Sequence, residues 1–305
     1  MTAALLIIDP QSDFVDEGGA LQVPQAIEDM QRLSRFIVAH AQKIDKIFIS
    51  LDSHPVVHIS HANWFSRVSG ADFWPLDRSG PSPFVNLEVE NGQFIIDSSG
   101  NQYLARNHDW TINYLKFVKS LGKKHTIWPE HCIAGTPGEA VTEHLMPALR
   151  RVWGTWSDRE YCDRVEWIRK GQSSHTEQYG AFREVMHYPN PLENIYGNTA
   201  VMARITQYET LYVAGEASSH CVRDSLMQFF QFLDDCGARG IKVSLKKILV
   251  FTDCMSPVPG FEADGAAFLG ICQSGLSHPD APSIWPGYLS ISHSTWESNA
   301  IVKES

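Results

Sequence analysis

Six apolar, strand-length runs separated by helical patterns limit most strongly how this chain can fold. Strands that alternate with helices are typical of a parallel sheet covered by helices on both faces. The sequence therefore predicts an α/β fold, a three-layer α/β/α sandwich around a six-stranded parallel sheet with right-handed crossovers. The predicted strands lie near residues 3–9, 45–51, 164–169, 209–214, 246–252 and 287–292.

The stretch from about 66 to 125 interrupts this alternation. Short alternating runs are separated there by Asn-Gly and Ser-Gly pairs, which are hairpin signals. A helical pattern follows, which we expect Asp109 to cap and Gly122 to close. We predict a single domain over 1–305 that carries an inserted β-meander and helix. The insertion is expected either to cover the active site or to contact another subunit.

Composition narrows the class of partner. The formal net charge is −10 without a basic stripe, which argues against nucleic acid and anionic membranes. The six cysteines form no Cys-x-x-Cys pair, and no signal sequence precedes the first strand. We therefore expect reduced thiols, a cytoplasmic location and a small-molecule partner, and we also expect a homo-oligomer. No apolar run approaches the ~20 residues of a spanning helix.

Three predicted strands end at or just before a reactive side chain. Asp9 ends the first strand, Lys170 ends the third, and Cys221 opens a helical pattern after the fourth. Because the carboxyl ends of parallel strands meet at one crevice, a base, a cation and a nucleophile are expected together. Unpaired N–H groups at the start of the helix, which Ser218 or Ser219 can cap, favour a thiolate at Cys221. Taken singly, these residues are ordinary turn, surface or core residues.

Five separated segments between residue 4 and about 255 carry specific motifs, namely Asp9-x-Gln11-x-Asp13-Phe14, Asp52-x-His54-Pro55, Trp128-Pro129-Glu130-His131-Cys132, Lys170-Gly171 with Tyr179-Gly180-Ala181-Phe182, and Val213–Arg223. Together they resemble motifs of the isochorismatase-like cysteine hydrolase superfamily, most closely of its nicotinamidase (pyrazinamidase) branch. This resemblance implies a Rossmann-like sheet topology and a hydrolase that uses a cysteine nucleophile. Ser12 and Gly180 depart from the branch pattern and leave the exact substrate open.

The resemblance implies that Asp9, Lys170 and Cys221 are the catalytic residues. Asp9 would take the thiol proton and later pass it to the departing ammonia. Lys170 would keep Asp9 ionised. The backbone N–H groups of Ala217 and Cys221 would form the oxyanion hole, with a cis peptide between Glu216 and Ala217.

Asp52, His54 and His131 are the expected metal ligands. The Asp-x-His spacing at a strand end lets both side chains meet one ion, although a loop Asp and His alone more often face solvent. His131 is added by its motif. Nitrogen and oxygen ligands suit Zn, Fe or Mn, and we expect one divalent metal, with zinc as the first expectation. His58 and His61 remain alternatives for a fourth ligand.

For the substrate, the resemblance nominates Phe14, Trp128 and Tyr179 as aromatic walls around a flat heteroaromatic amide. The implied reaction converts nicotinamide and water to nicotinate and ammonia through a thioacyl-enzyme, in NAD salvage. Hydrolysis of another small amide or carbamoyl compound is the nearest alternative, and isochorismatase itself would have no use for the metal ligands. A catalytically idle binding protein is a further alternative.

Overall fold

The computed structural model describes residues 2–68, 79–153, 164–189, 198–274 and 289–292. Strands and helices alternate along most of this length. In chain order the elements are β1 (Ala3–Ile8), α1 (Ser12–Val15), α2 (Ala26–His40), β2 (Lys46–Asp52), β3 (Phe65–Arg67), β4 (Asn86–Glu90), β5 (Phe94–Asp97), β6 (Gln102–Ala105), α3 (His108–Ser120), β7 (His125–Thr126), α4 (Met146–Trp153), β8 (Val165–Lys170), α5 (Thr199–Ile205), β9 (Thr210–Gly215), α6 (Cys221–Ala238), β10 (Lys247–Phe251), α7 (Glu262–Ser274) and β11 (Leu289–Ser292).

The main sheet has six strands in the order β11-β10-β9-β1-β2-β8, and every neighbouring pair is parallel. The chain works outward to β8 on one side of β1 and then returns to β9 on its other side. The order in which the chain adds strands therefore reverses between β1 and β9. In doubly wound folds, ligands bind at this point of reversal. The predicted α/β sandwich with a six-stranded parallel sheet is confirmed.

Side chains on both faces of the sheet are buried. In β1, Leu5 and Ile7 pack with α2 and α4 in one core cluster. Leu6 and Ile8 point the other way and pack with α5, α6 and α7 in a second cluster. Burial on both faces explains why the strands appear in the sequence as continuous apolar runs instead of alternating ones.

The inserted segment forms an antiparallel sheet with the strand order β3-β6-β5-β4-β7, and α3 packs on it in a third core cluster. The sheet includes β3 and β7 at the two ends of the insertion, so it directly adjoins the segments that carry the expected metal ligands. The helix α3 begins at His108 after an N-cap at Asn107. The prediction that Asp109 caps this helix is therefore wrong, because Asp109 lies in its first turn.

Five cysteines are free and buried, whereas Cys162 lies outside the described residues. Among the helices in the described ranges, none combines the length and the apolar character needed to cross a membrane.

Gly215, at the end of β9, pairs with Ile8 of β1 and has no room for a side chain. It has a φ of +122°, and a Cβ added there would lie 2.1 Å from the carbonyl oxygen of Ile8. We expect Gly215→Ala to lower the free energy of unfolding by at least about 2 kcal/mol, because neither backbone can move without breaking the sheet. The measurement is urea unfolding.

The matched control is Gly240→Ala. Gly240 also has a positive φ, +66°, but no atom lies within 4 Å of the added Cβ. Its substitution should cost only the left-handed backbone strain of about 1–2 kcal/mol. Equal losses for the two variants would contradict the crowding argument.

Candidate active site and metal centre

The three sequence-predicted catalytic residues lie together at the carboxyl end of the main sheet. The Lys170 ammonium is fully buried, 3.0 Å from Asp9 Oδ2 and 3.7 Å from Cys221 Sγ. Asp9 is fixed on its other side, because the Ser50 hydroxyl donates to Asp9 Oδ1 at 2.6 Å. Lys170 also donates to the carbonyl of Gln178 at 3.2 Å. The arrangement brings an acceptor, a cation and a thiol within reach of one point.

Burial sets the protonation states of these groups. It raises the pKa of the Cys221 thiol well above its usual range, and the attraction of Lys170 does not offset this. It also raises the pKa of Asp9, against the opposing effect of Lys170. Burial disfavours the charge of Lys170, but Asp52 and Asp9 outweigh it and raise the pKa of Lys170. Burial therefore works against the expected thiolate, and Asp9 lies close enough to take the proton of the thiol.

Cys221, the expected nucleophile, begins α6 directly after a tight connection from β9. In this connection the peptide between Glu216 and Ala217 is cis, as the resemblance implies. The N-cap of α6 is His220, without a side-chain cap bond, so the expected cap at Ser218 or Ser219 is wrong. The Ser219 hydroxyl instead contacts His220 Nδ1 at 2.9 Å.

The backbone N–H groups of Ala217 and Cys221 have no hydrogen-bond acceptor among the residues that the structure describes. Both residues line a cavity that also reaches Asp52 and His131. Two unpaired donors beside a thiol can hold an oxyanion.

Four side chains converge beside Asp9, Lys170 and Cys221, and we call them the metal-ligand cluster because they could hold one ion: Asp52, His54, His61 and His131. The ligand nitrogens of the three histidines lie within 4.8 Å of one another, and all three histidines are buried. Asp52 Oδ2 is 3.1 Å from His54 Nε2 and 3.6 Å from His131 Nε2. Asp52 Oδ1 is 3.2 Å from Lys170, so one carboxylate joins the cluster to the catalytic residues.

Hydrogen bonds orient the cluster histidines for a cation. His54 Nδ1 donates to the Gly171 carbonyl at 3.2 Å, and His131 Nδ1 donates to the Pro129 carbonyl at 2.7 Å. Each ring therefore turns a lone pair at Nε2 toward the cluster. His61 has no hydrogen-bond partner on either nitrogen within the described structure, and burial lowers its pKa to about 2. A buried imidazole without partners at His61, beside two imidazoles whose Nε2 faces the same point, fits a divalent metal.

His58 does not fit the same role. Its Nε2 donates to the Thr176 carbonyl at 3.1 Å, and its Nδ1 accepts from the Ser60 hydroxyl at 2.6 Å. Both nitrogens are used, so no lone pair remains for an ion. Of the two alternatives for a fourth ligand, His61 is the one that the geometry favours.

Two further residues support the site without having been assigned a role from the sequence. The Gln11 amide donates to the Asp52 carbonyl at 2.7 Å and accepts from the Asp52 N–H at 2.7 Å, which fixes the backbone of this ligand. Glu177 lines the cavity and is buried, and its Oε2 has no partner among the described residues. Gln11 lies in the motif that begins at Asp9, but nothing in the sequence marks Glu177.

Phe14, Trp128 and Tyr179 all line the cavity above Cys221. Trp128 Nε1 donates to the Tyr179 hydroxyl at 3.1 Å, which fixes two of these walls together. His220 lies edge-on to Trp128, with ring centroids 5.1 Å apart. The inner cavity is narrow, with a volume of about 30 Å³.

A larger outer cavity of about 450 Å³ shares Tyr179 and His220 with the inner one. These two side chains therefore separate the catalytic cavity from the outer space. The inserted segment supplies one wall of the outer cavity through Asn86, Gly122, Lys123, Lys124 and Thr126.

Comparison with known proteins gives one consistent answer. No protein-family model matches this chain. The nicotinamidase of Saccharomyces cerevisiae is 20% identical over 221 residues, which cover 72% of this chain and 77% of that protein. The nicotinamidase of Schizosaccharomyces pombe is 23% identical over 228 residues, which cover 73% of this chain and 74% of that protein.

Solved structures share the fold. The yeast nicotinamidase Pnc1p bound to the inhibitor nicotinaldehyde superposes with a TM-score of 0.54 at 16% identity, over 88% of this chain and 94% of that chain. The nicotinamidase/pyrazinamidase of Acinetobacter baumanii gives 0.55 at 20% identity, over 96% and 97%. The resemblance to the nicotinamidase and pyrazinamidase branch is confirmed. This nicotinamidase-like chain carries the metal-ligand cluster at the carboxyl end of its sheet.

The cluster geometry predicts how two neighbouring histidines differ. We expect the purified protein to bind one divalent metal per chain, and His61→Ala to weaken binding by more than the roughly 10- to 100-fold that is typical when only a partner of a ligand is lost, because here a ligand itself is lost. His58→Ala should weaken it much less, since His58 has no free lone pair. Competition with a chelator, followed by elemental analysis, measures both affinities. A larger loss in His58→Ala than in His61→Ala would contradict the ligand assignment.

Proposed function

We propose that this protein is a metal-dependent cysteine amidohydrolase that converts nicotinamide and water to nicotinate and ammonia. The observation that carries the proposal is the buried Lys170, which contacts Asp9, Asp52 and Cys221 at the end of the parallel sheet. Relatives named nicotinamidases support the choice of substrate. NAD salvage and a cytoplasmic location are part of the same proposal.

The reaction begins with a proton transfer. Asp9 takes the proton from the Cys221 thiol, and the positive charge of Lys170 at 3.0 Å from Asp9 and 3.7 Å from Cys221 stabilises the thiolate as it forms. Because burial raises the pKa of both Asp9 and Cys221, the proton passes between two weak acids, and the one negative charge that the pair carries stays beside Lys170.

The thiolate then attacks the carboxamide carbon. The negative charge that develops on the carbonyl oxygen is held by the N–H groups of Ala217 and Cys221, which have no other acceptor in the described structure. The tetrahedral species collapses when Asp9 returns its proton to the departing ammonia, which leaves a thioacyl-enzyme. A water molecule activated by Asp9 releases nicotinate and restores the thiol.

A divalent metal held by Asp52, His54, His61 and His131 would supply a Lewis acid for the ring nitrogen of the substrate. Zinc is our first choice, with iron or manganese as alternatives. Asp52 contacts both the histidines of this cluster and Lys170. Burial would raise the pKa of Asp52, but the positive charges of His54 and Lys170 outweigh it and hold this pKa well below its usual range. Asp52 is therefore an anion that serves both parts of the site.

Aromatic walls and one carboxylate would orient the amide. Phe14, Trp128 and Tyr179 offer flat apolar surfaces for a heteroaromatic ring. The unpartnered Oε2 of Glu177 can accept a hydrogen bond from the carboxamide N–H₂. Since the inner cavity has about 30 Å³, the walls at Tyr179 and His220 must move outward to admit the substrate.

Cys221→Ala tests the reaction. We expect it to lower the rate of ammonia release from nicotinamide by at least about 1,000-fold while metal content stays unchanged. Cys236→Ala, a buried cysteine on the same helix, is the control and should keep normal turnover. A wild-type protein that hydrolyses other small amides but not nicotinamide would move the assignment to the alternative amidase or carbamoyl hydrolase. If the wild-type protein hydrolyses no amide, the catalytically idle binding protein is the remaining alternative.

The insertion is proposed to shape the access route through Phe84. This residue is 47% exposed, has a φ of +66°, and its ring lies edge-on to Trp128 at 5.9 Å. We expect Phe84→Ala to raise KM roughly threefold to tenfold with little change in kcat, because Trp128 loses a supporting ring.

Ile241→Ala, at an equally exposed position outside the insertion, is the control for Phe84→Ala and should leave KM unchanged. Steady-state kinetics and size-exclusion chromatography together decide between the two roles for the insertion. A changed assembly state with unchanged KM would assign Phe84 to a subunit contact instead.

A further inference from the structure

A second group of buried charged residues lies behind the nucleophile and takes no part in the proposed reaction. Glu216 directly precedes Ala217 in the tight connection after β9 and is fully buried. Asp29, on α2, is 1% exposed. Ser256 and Arg32 complete the set, which we call the back-side cluster.

Ser256 joins the two carboxyl groups. Its backbone N–H donates to Glu216 Oε2 at 3.0 Å, and its hydroxyl donates to Asp29 Oδ2 at 2.6 Å. Arg32 binds the other oxygen of Asp29 and also the carbonyl of Asp253. Glu216 Oε1 is buried and has no partner among the described residues while Glu216 is taken as a carboxylate.

The charges of this cluster do not balance if both acids are ionised. The charged groups that face Glu216 within the described structure are Asp29 and Arg32, both on α2. Two buried carboxylates against one guanidinium leave an uncompensated negative charge, which is strongly unfavourable. Adjacent carboxyl groups relieve such repulsion by keeping a proton. A proton on Glu216 Oε1 would also turn its unpartnered oxygen into a donor.

We propose that Glu216 and Asp29 hold one proton between them, with Glu216 as the neutral acid that donates to Asp29, and that this bond positions the nucleophile connection. Glu216 is a positioning residue in this proposal, because it acts through the backbone of Ala217 and not on substrate. The expected effect on turnover rests on the proposed amidase function.

Backbone contacts show how the position of Glu216 reaches the oxyanion donors. The N–H of Ser218 donates to the Ser256 carbonyl at 2.9 Å, and the N–H of Val258 donates to the Ser219 hydroxyl at 3.0 Å. The N–H of Glu216 donates to the Ile8 carbonyl at 2.9 Å. Residues on both sides of Ala217 are therefore held by the loop that carries Ser256, and Asp29 anchors that loop to α2.

The proposal has a definite pH dependence. Burial and the neighbouring Asp29 raise the pKa of Glu216 well above its usual range, and burial raises the pKa of Asp29. A group whose pKa is raised by folding contributes fully at pH below its unfolded value and loses this contribution as pH rises through its folded value. The back-side cluster should therefore loosen on the alkaline side.

Glu216→Gln and Glu216→Ala separate a proton donor from a space-filling side chain. Glutamine keeps a donor toward Asp29 and an acceptor for Ser256, and it does not titrate. We expect Glu216→Gln to retain most of kcat and to lose less activity than wild type as pH rises. Glu216→Ala should lower kcat roughly 10- to 100-fold with KM little changed, since the oxyanion donors shift.

Infrared spectroscopy gives a readout that does not depend on turnover. The difference spectrum of wild type minus Glu216→Gln at neutral pH should show the C=O stretch of one buried protonated carboxylic acid, which isolates Glu216 from other buried acids such as Asp9. Absence of that band from the difference spectrum, or equal kcat losses in both variants, would overturn the proposal. If nicotinamide is not the substrate, the infrared result and the pH dependence of unfolding still decide it. Should Glu216→Ala fail to fold, Glu216→Gln and the band remain sufficient.

Discussion

One buried ammonium group organises this protein. Lys170 lies out of reach of water and contacts Asp9 on one side and Asp52 on the other. Removing an amine from water is unfavourable by several kcal/mol, and only well-placed opposite charges make it tolerable. The two carboxylates supply those charges, and each has a second task, one beside the thiol and one beside the histidines. The proposed catalytic residues and the metal-ligand cluster are consequently one electrostatic unit.

Much of the fold could be predicted because its signals are local. The strands of the main sheet are buried on both faces, so the sequence carries continuous apolar runs that stand out from the helical patterns. The same runs place Asp9, Lys170 and Cys221 at strand ends, and parallel topology then brings them together. The hairpin pairs of the inserted segment were equally local, and its strands appear where those pairs predict them.

Properties that depend on burial and orientation could not be predicted. Sequence spacing does not show which of His58 and His61 has a free lone pair, because that depends on contacts with Ser60 and Thr176. The raised pKa of Cys221 follows from its burial, which outweighs the attraction of Lys170. The burial of Glu216 could not be predicted either, because glutamates are rarely buried and nothing in the sequence marks this one as an exception.

The division of the outer cavity between the main sheet and the insertion has an evolutionary consequence. Asn86 and Thr126 belong to the antiparallel sheet, whereas Arg223 belongs to the helix that begins at the nucleophile. Mutations that accumulate in the antiparallel sheet can therefore alter which molecules are admitted without disturbing Lys170 and its partners. If the proposed function holds, the substrate range of the enzyme could change in this way during evolution while the residues that break the amide bond stay the same.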